Sequence, residues 1–173
     1  MVPTSLLQAA LLPVLLSHLS DDVAKRDLVT FRRTVVRSLA TVTGLLLVAS
    51  AIFWAFRAPI LRFVFLRGEM DAEGVDRMVR LLPYHLVGLA PFGALLVLAR
   101  AHVALKNSGI MIGMGLLNAA CNAAFNVLLL RLMGLEGIAL STSCVQLAIA
   151  VIFWFQLEGR LKLVRDLPPE AAT

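Results

Sequence analysis

The chain has 173 residues, 60% of them hydrophobic and 16% charged, with a mean hydropathy of +0.87. Soluble domains run about 45–50% apolar and about 25% charged, so an ordinary water-soluble globule is excluded, along with disordered, collagen-like and small disulfide-rich classes. The formal net charge of +5 is accounted for by Lys and Arg in the loops of a membrane protein, and no nucleic acid is called for.

Charge divides the chain. Met1–Ser20, Ser38–Phe56, Leu81–Ala99, Asn107–Leu130 and Gly137–Leu157 contain no Asp, Glu, Lys or Arg, and together hold 103 residues. Each is 19–24 residues long, and about 20 mainly apolar residues carry an α-helix across the hydrocarbon core. Backbone polar groups in lipid must be satisfied within their own segment, so these pieces are helices. The pattern predicts an all-α, polytopic transmembrane helical bundle with about five membrane spans, near 4–20, 38–57, 81–100, 107–130 and 137–157. They form a partial transmembrane lobe over 1–166, followed by a short polar tail, 167–173.

At the start, Met1-Val-Pro-Thr-Ser offers no basic n-region, and no small-residue cleavage site follows the apolar run, so the segment does not read as a signal peptide. No charged flank precedes the first span, and the expectation is that the chain begins inside something longer. The next segment carries Lys25, Arg26, Arg32, Arg33 and Arg37. With Arg100, Lys106, Arg160, Lys162 and Arg165, that side of the membrane totals ten basic residues against six on the other. The positive-inside rule then places the N-terminus outside and the C-terminus in the cytoplasm, with Lys25–Arg37 against anionic head groups.

Beyond the second span, Pro59 to Arg67 continues an apolar pattern that Gly68 stops. Asp71 can cap a new helix with Glu73 near its positive end, and that helix runs through Met78 into Leu81 and Leu82. Arg131 to Glu136 reads as a tight hairpin closed by Gly134 and Gly137. Pro13, Pro83 and Pro91 lie in spans one and three, where proline kinks a helix and frees a carbonyl. Pro83 and Pro91 are candidate flexing points, with a merely tolerated kink as the alternative.

No enzyme constellation is present: there is no Gly-rich phosphate loop, no metal-spaced ligand set and no paired intramembrane carboxylate, and no cofactor is implied. His18, His85 and His102 lie near span ends and are expected to be interfacial, with wet tips. Cys121 and Cys144 sit in apolar spans and are expected to be small buried hydrophobes. The clearest polar feature is Asn118, Asn122 and Asn126, whose spacing of four puts three amides on one helical face. They are candidate cavity-lining residues, with interhelical hydrogen bonding as the plainer reading. Gln8 and Gln146 are expected to act as helix glue. Gly109-x-x-x-Gly113 and Ala119, Ala120, Ala123 and Ala124 are expected to let helices approach closely.

Five segments resemble, in order, the MurJ/MviN-type lipid II flippases. Leu12-Pro13-Val14-Leu15-Leu16-Ser17, followed by Asp21 and Asp22, is similar to that family's LPxLS helix end. Ala58-Pro59-Ile60 and Val64-Phe65-Leu66-Arg67-Gly68-Glu69-Met70 resemble its PI…LFxRGxF. Leu82-Pro83-Tyr84-His85-Leu86-Val87-Gly88-Leu89 resembles its LxxYxxGL, and Ala99 to Asn107 its RAFYALxDT loop. Asn118, Asn126 and then Gly134 to Ser143 resemble its N…N…GxxGLALATS passage.

The resemblance implies the multidrug/oligosaccharidyl-lipid/polysaccharide exporter superfamily, whose two six-helix lobes enclose a cavity with alternating access. This chain would be a C-terminal lobe fragment, from about the eighth helix to the twelfth, of a bacterial inner-membrane transporter. The expected partners are membrane lipid, a lipid-linked peptidoglycan precursor and a missing N-terminal lobe. The family's first-lobe cavity arginines have no counterpart here. Its Phe-Tyr is His102-Val103, and its Asp-Thr is Asn107-Ser108. The alternatives are a polysaccharide or multidrug exporter of the same superfamily, or a non-transporting scaffold or inactive fragment.

Overall fold

The computed structural model describes residues 12–65, 71–107 and 109–166. These form seven helices and no strand: α1 (Leu12–Ala24), α2 (Leu28–Ala55), α3 (Arg57–Phe65), α4 (Ala72–Val87), α5 (Leu89–Ala104), α6 (Gly109–Met133) and α7 (Leu135–Asp166). Four stretches among the described residues are long and apolar enough to cross a membrane: Leu28–Ala55, Ala72–Ala104, Gly109–Met133 and Leu135–Arg165. They overlap the second to fifth uncharged stretches of the sequence. Most of the first, Met1–Ser20, lies outside the described residues, as do Gln8 and the stop at Gly68; α1 is its later part.

The helices outrun the uncharged windows. Helix α2 begins at Leu28 rather than near residue 38 and holds 28 residues, about 42 Å at 1.5 Å per residue. Helix α7 continues past Leu157 to residue 166. Absence of charge marks the hydrocarbon-crossing part of a helix, whereas the helix ends where its backbone is capped. Asp27 caps α2 by accepting from the Thr30 backbone N–H at 2.9 Å. Hydrogen bonding from the Thr30 side chain and then its backbone N–H holds the Asp27 carboxyl below the usual carboxylate range. Asp71 caps α4 as the sequence predicts, accepting from Gly74 N at 2.9 Å, with Glu73 in the first turn.

Helix ends on one face of the bundle use a shared device. Arg26 N–H bonds Val23 O and Asp27 N–H bonds Asp22 O, while Lys106 N–H bonds Val103 O and Asn107 N–H bonds His102 O. These are Schellman closures, and they put Arg26 and Lys106 at φ 56° and 54°, the left-handed region where glycine is the usual occupant. Their charge at a helix C-terminus complements the macrodipole. On the opposite face, Gly134 takes φ +69° and turns α6 into α7.

Helix α7 is the mast. It packs against α4, α5 and α6, while α5 also packs against α1 and α2. Val145, Ile149, Phe153, Leu157 and Leu161 repeat every four residues along one buried face of α7. They meet Leu19 of α1, Phe31 and Val35 of α2, Leu98 and Ala101 of α5, and Met114 of α6. Along its apolar window α7 is 39% buried and α6 only 6%, so α6 leans on the bundle through a single stripe. A Cβ on Gly109 or Gly113 would meet nothing within 4 Å, and Ala119, Ala120, Ala123 and Ala124 are exposed, so the expected small-residue packing is not made among the described residues. Cys144 is likewise exposed, off the buried stripe of α7, whereas Cys121 is half-buried and packs against the core.

The predicted hairpin is present, and Gly137 is what closes it. A Cβ there would run into the Leu129 backbone carbonyl, which cannot move aside without breaking α6. Gly137→Ala should therefore destabilise the chain by about 1–3 kcal/mol, read as a lowered thermal midpoint in detergent. Gly113→Ala, inside α6 and meeting open space, should instead hold the midpoint or raise it slightly, since alanine favours the helix over glycine.

Candidate functional site

Helices α4 and α5 form one membrane-length rod, Ala72–Ala104, interrupted at Gly88. Pro83 lies inside α4 and Pro91 in the first turn of α5. Each lacks the N–H that would bond the carbonyl four residues back. The discontinuity falls between them. Gly88 N–H reaches His85 O at 3.1 Å, which leaves the Tyr84 carbonyl without its helical donor. Ser143 Oγ of α7 supplies one at 2.7 Å. Ser50 Oγ of α2 donates to Leu86 O at 3.2 Å. An unpaired carbonyl in hydrocarbon costs several kcal/mol, so hydroxyls from two neighbouring helices make the break tenable.

The rod touches α7 most closely at that break. A Cβ on Gly88 would lie 2.5 Å from Ser143 Oγ and 3.0 Å from Gln146 Oε1. No side chain fits at this crossing. Toward the hairpin end, Tyr84 Oη donates to Glu136 Oε2 at 3.4 Å. Sequence reasoning placed the two prolines correctly within the rod but missed Gly88 and its hydroxyl partners. The signal was there in Gly88 flanked by Pro83 and Pro91, and in the Ser141-Thr142-Ser143 run.

The three asparagines do share one face, the face turned toward α7. Asn126 Nδ2 donates to Asn122 Oδ1 at 3.2 Å, and Ser141 Oγ donates to Asn126 Oδ1. The Ile138 carbonyl, 2.8 Å away, is a second acceptor for the same hydroxyl. All three residues are half-buried. Asn118 is the odd member, because its Oδ1 is buried with no hydrogen-bond partner among the described residues. Two amides are thus engaged in the α6–α7 seam and the third presents an unused acceptor.

The histidines separate. His18 and His85 are exposed on the bundle surface, but His102 is fully buried. Its Nε2 lies 3.1 Å from Phe153 O and its Nδ1 3.4 Å from Asn107 Nδ2. The Phe153 carbonyl only accepts, so Nε2 carries the proton and Nδ1 receives the amide: a neutral ring satisfied at both nitrogens. It also meets the Phe153 ring edge-on, with centroids 5.0 Å apart. The wet-tip expectation is overturned because α5 turns this ring inward against α7, tying the α5–α6 turn to the mast.

The segments singled out by resemblance occupy these features. Leu82–Leu89 is the break, Ala99–Asn107 is the turn held by His102, and Gly134–Ser143 is the hairpin and its hydroxyl run. The sequence model of the lipid II flippase MurJ family matches residues 1–167. The chain belongs to that family. Among its relatives, the probable lipid II flippase MurJ of Bdellovibrio bacteriovorus is 27% identical over 161 residues, which are 93% of this chain and 30% of that protein. The chain therefore spans about 30% of the length of that relative. As a member of a flippase family with four membrane-length helices, it is a multi-pass protein of the inner membrane.

Ser143→Ala should leave the Tyr84 carbonyl unpaired and lower stability by about 0.6–2 kcal/mol, seen as a drop in the detergent thermal midpoint. Thr142→Ala removes a hydroxyl bonded only within its own helix, to Ile138 O at 3.3 Å, and should have no such effect.

Proposed function

We propose that this chain is a portion of one lobe of a lipid II flippase-like transporter, carrying an undecaprenyl-pyrophosphate-linked peptidoglycan precursor outward for cell-wall synthesis. The observation that carries the reading is the family match across residues 1–167. The kinked rod of α4 and α5 supports it, because discontinuous membrane helices held by neighbouring side chains are a recurrent element of transporters. The chain performs transport rather than catalysis and works with a further lobe that completes the cavity. Its basic end, with Lys25–Arg37 and the C-terminus, is cytoplasmic.

In this reading the two lobes rock about a midplane site. Pro83 and Pro91 are the flexing points, because two backbone donors are absent on either side of Gly88 and the hydroxyls of Ser143 and Ser50 can exchange acceptors as the angle changes. Asn118, Asn122 and Asn126 form the cavity wall. Support comes from Asn118, whose buried acceptor lacks a partner among the described residues. The bonds from Asn126 to Asn122 and from Ser141 to Asn126 favour a second role for the other two amides, as a seam between α6 and α7.

The two roles separate by experiment. Asn118→Leu in the complete transporter should reduce complementation of flippase-deficient growth at normal expression, with the thermal midpoint unchanged. Asn126→Leu, which removes the hydrogen bond from Ser141 across the α6–α7 seam and the one to Asn122, should lower stability by about 0.6–2 kcal/mol, read as a lower midpoint. Full growth with all three positions changed to Leu would overturn the cavity-wall reading.

A further inference from the structure

Between the first turns of α2 and the last turns of α7 lies an open groove of about 640 Å³. Its charged lining comprises Arg32, Arg33, Arg37, Lys162 and Arg165 with a single carboxylate, Glu158. Glu158 is already committed, since Arg32 Nε donates to it at 2.8 Å. Arg33 feels the Asp27 carboxylate at the start of α2, but Arg33, Arg37 and Lys162 form no direct ion pair among the described residues, so the groove keeps a positive excess. Its floor is apolar: Leu28, Val29, Val36, Ala40 and Leu161. Val29 is 72% exposed and Val36 41%, an unusual exposure for β-branched residues surrounded by cations.

The depth of the groove is set by the sequence. Charge-free residues begin at Ser38 on α2 and end at Leu157 on α7, so both helices leave the hydrocarbon core beside the groove. Arg32 lies over the Trp154 ring, 5.9 Å from its centroid, and a tryptophan at that level belongs to the interfacial belt. The cations therefore stand at head-group height, while Val36 and Ala40 descend toward the acyl chains. A soluble anion would use the cations and leave the floor wet. A phosphodiester lipid would use both.

We propose that this groove is a binding site for an anionic glycerophospholipid, its phosphate held by Arg33, Arg37 and Lys162 and its acyl chain laid along Val36 and Ala40. The site is distinct from the asparagine face and the Gly88 break, and it uses residues of α7 that a basic loop alone would not supply. Three cations converging from two helices discriminate by charge, whereas dispersed juxtamembrane charges attract the whole leaflet.

The test reconstitutes the chain in nanodiscs of equimolar phosphatidylglycerol and phosphatidylcholine, extracts it into mild detergent and counts retained lipids by native mass spectrometry. Phosphatidylglycerol should be retained at least about fivefold over phosphatidylcholine, the contribution of one interfacial charge. Arg33→Gln/Arg37→Gln/Lys162→Gln should bring the ratio close to one. Arg57→Gln/Arg77→Gln/Arg80→Gln, at the other end of the bundle, should keep it. Should the first triple variant lose its helical circular dichroism, Lys162→Gln alone, at an exposed position, should still at least halve the preference. No preference in the parent chain, an unchanged ratio in the folded triple variant, or equal loss in the control would overturn the proposal. So would displacement of the lipid by millimolar inorganic phosphate, which would assign the cations to a free anion. Preferred retention of undecaprenyl phosphate from an equal mixture would assign the groove to the carrier lipid and overturn the glycerophospholipid. The proposal stands apart from the transport reading, and its failure leaves the family match untouched.

Discussion

One 2.7 Å hydrogen bond, from Ser143 Oγ to the Tyr84 carbonyl, stands for the constraint that organises this molecule. Hydrocarbon offers a backbone carbonyl no water, so any departure from helical bonding must be met by another part of the protein. The α4–α5 rod departs at Gly88, with prolines on both sides. Its break has to lie against a helix able to present a hydroxyl at that depth, and the absence of a Cβ on Gly88 lets α7 come close enough. The chemistry of one carbonyl thus fixes which helix neighbours the rod, at what height and how closely.

From this crossing the rest of the arrangement follows. Helix α7 must be central, because it supplies Ser143 to the break, Ser141 to the asparagines and the Phe153 carbonyl to His102. Its polar contacts cluster toward the hairpin end, and its buried apolar repeat, Val145 to Leu161, lies toward the basic end. In a membrane there is no general hydrophobic drive between helices, so specific packing and interhelical hydrogen bonds carry association. The mast is built from both. Helix α6 is held by the asparagine stripe, by Met114 with Ile110, Met111 and Cys121 against the core, and by the close approach of Gly137 to Leu129, while most of its surface remains open to lipid or to further protein.

Much of this was legible in the sequence, and the rest was hidden for identifiable reasons. Charge-free length gave the spans, since hydrocarbon excludes charge. Asp71, Gly134 and Gly137 were readable because capping and left-handed turns have narrow residue preferences. The helix ends at Leu28 and Asp166 were not, because absence of charge locates the membrane and not the backbone cap. The orientation of His102 was also illegible: a histidine one turn from a charged flank is wet or buried according to which neighbour stands beside it, and Phe153 is 51 residues away in sequence. The asparagine spacing revealed a face but not what the face meets. Gly109 and Gly113 look like packing residues, and among the described residues they have nothing to pack on.

The two ends of the bundle are built on different principles, and that difference bears on how it sits in a membrane. At the hairpin end, tight geometry dominates: Gly134 and Gly137 close α6 onto α7, and Arg57 reaches back to the Trp54 carbonyl at 2.8 Å to finish α2. At the basic end, Arg26 and Lys106 occupy left-handed positions that glycine would fill at lower conformational cost. Cations placed there keep positive charge on every loop of that face while also serving the helix dipoles. Helices α2 and α7 extend past the hydrocarbon on this same side, holding further cations apart on a rigid frame where a flexible tail would disperse them. The face thus sacrifices some local backbone stability for a fixed array of charge. Such an array is best explained by a fixed counter-charge, which at head-group height means phosphate.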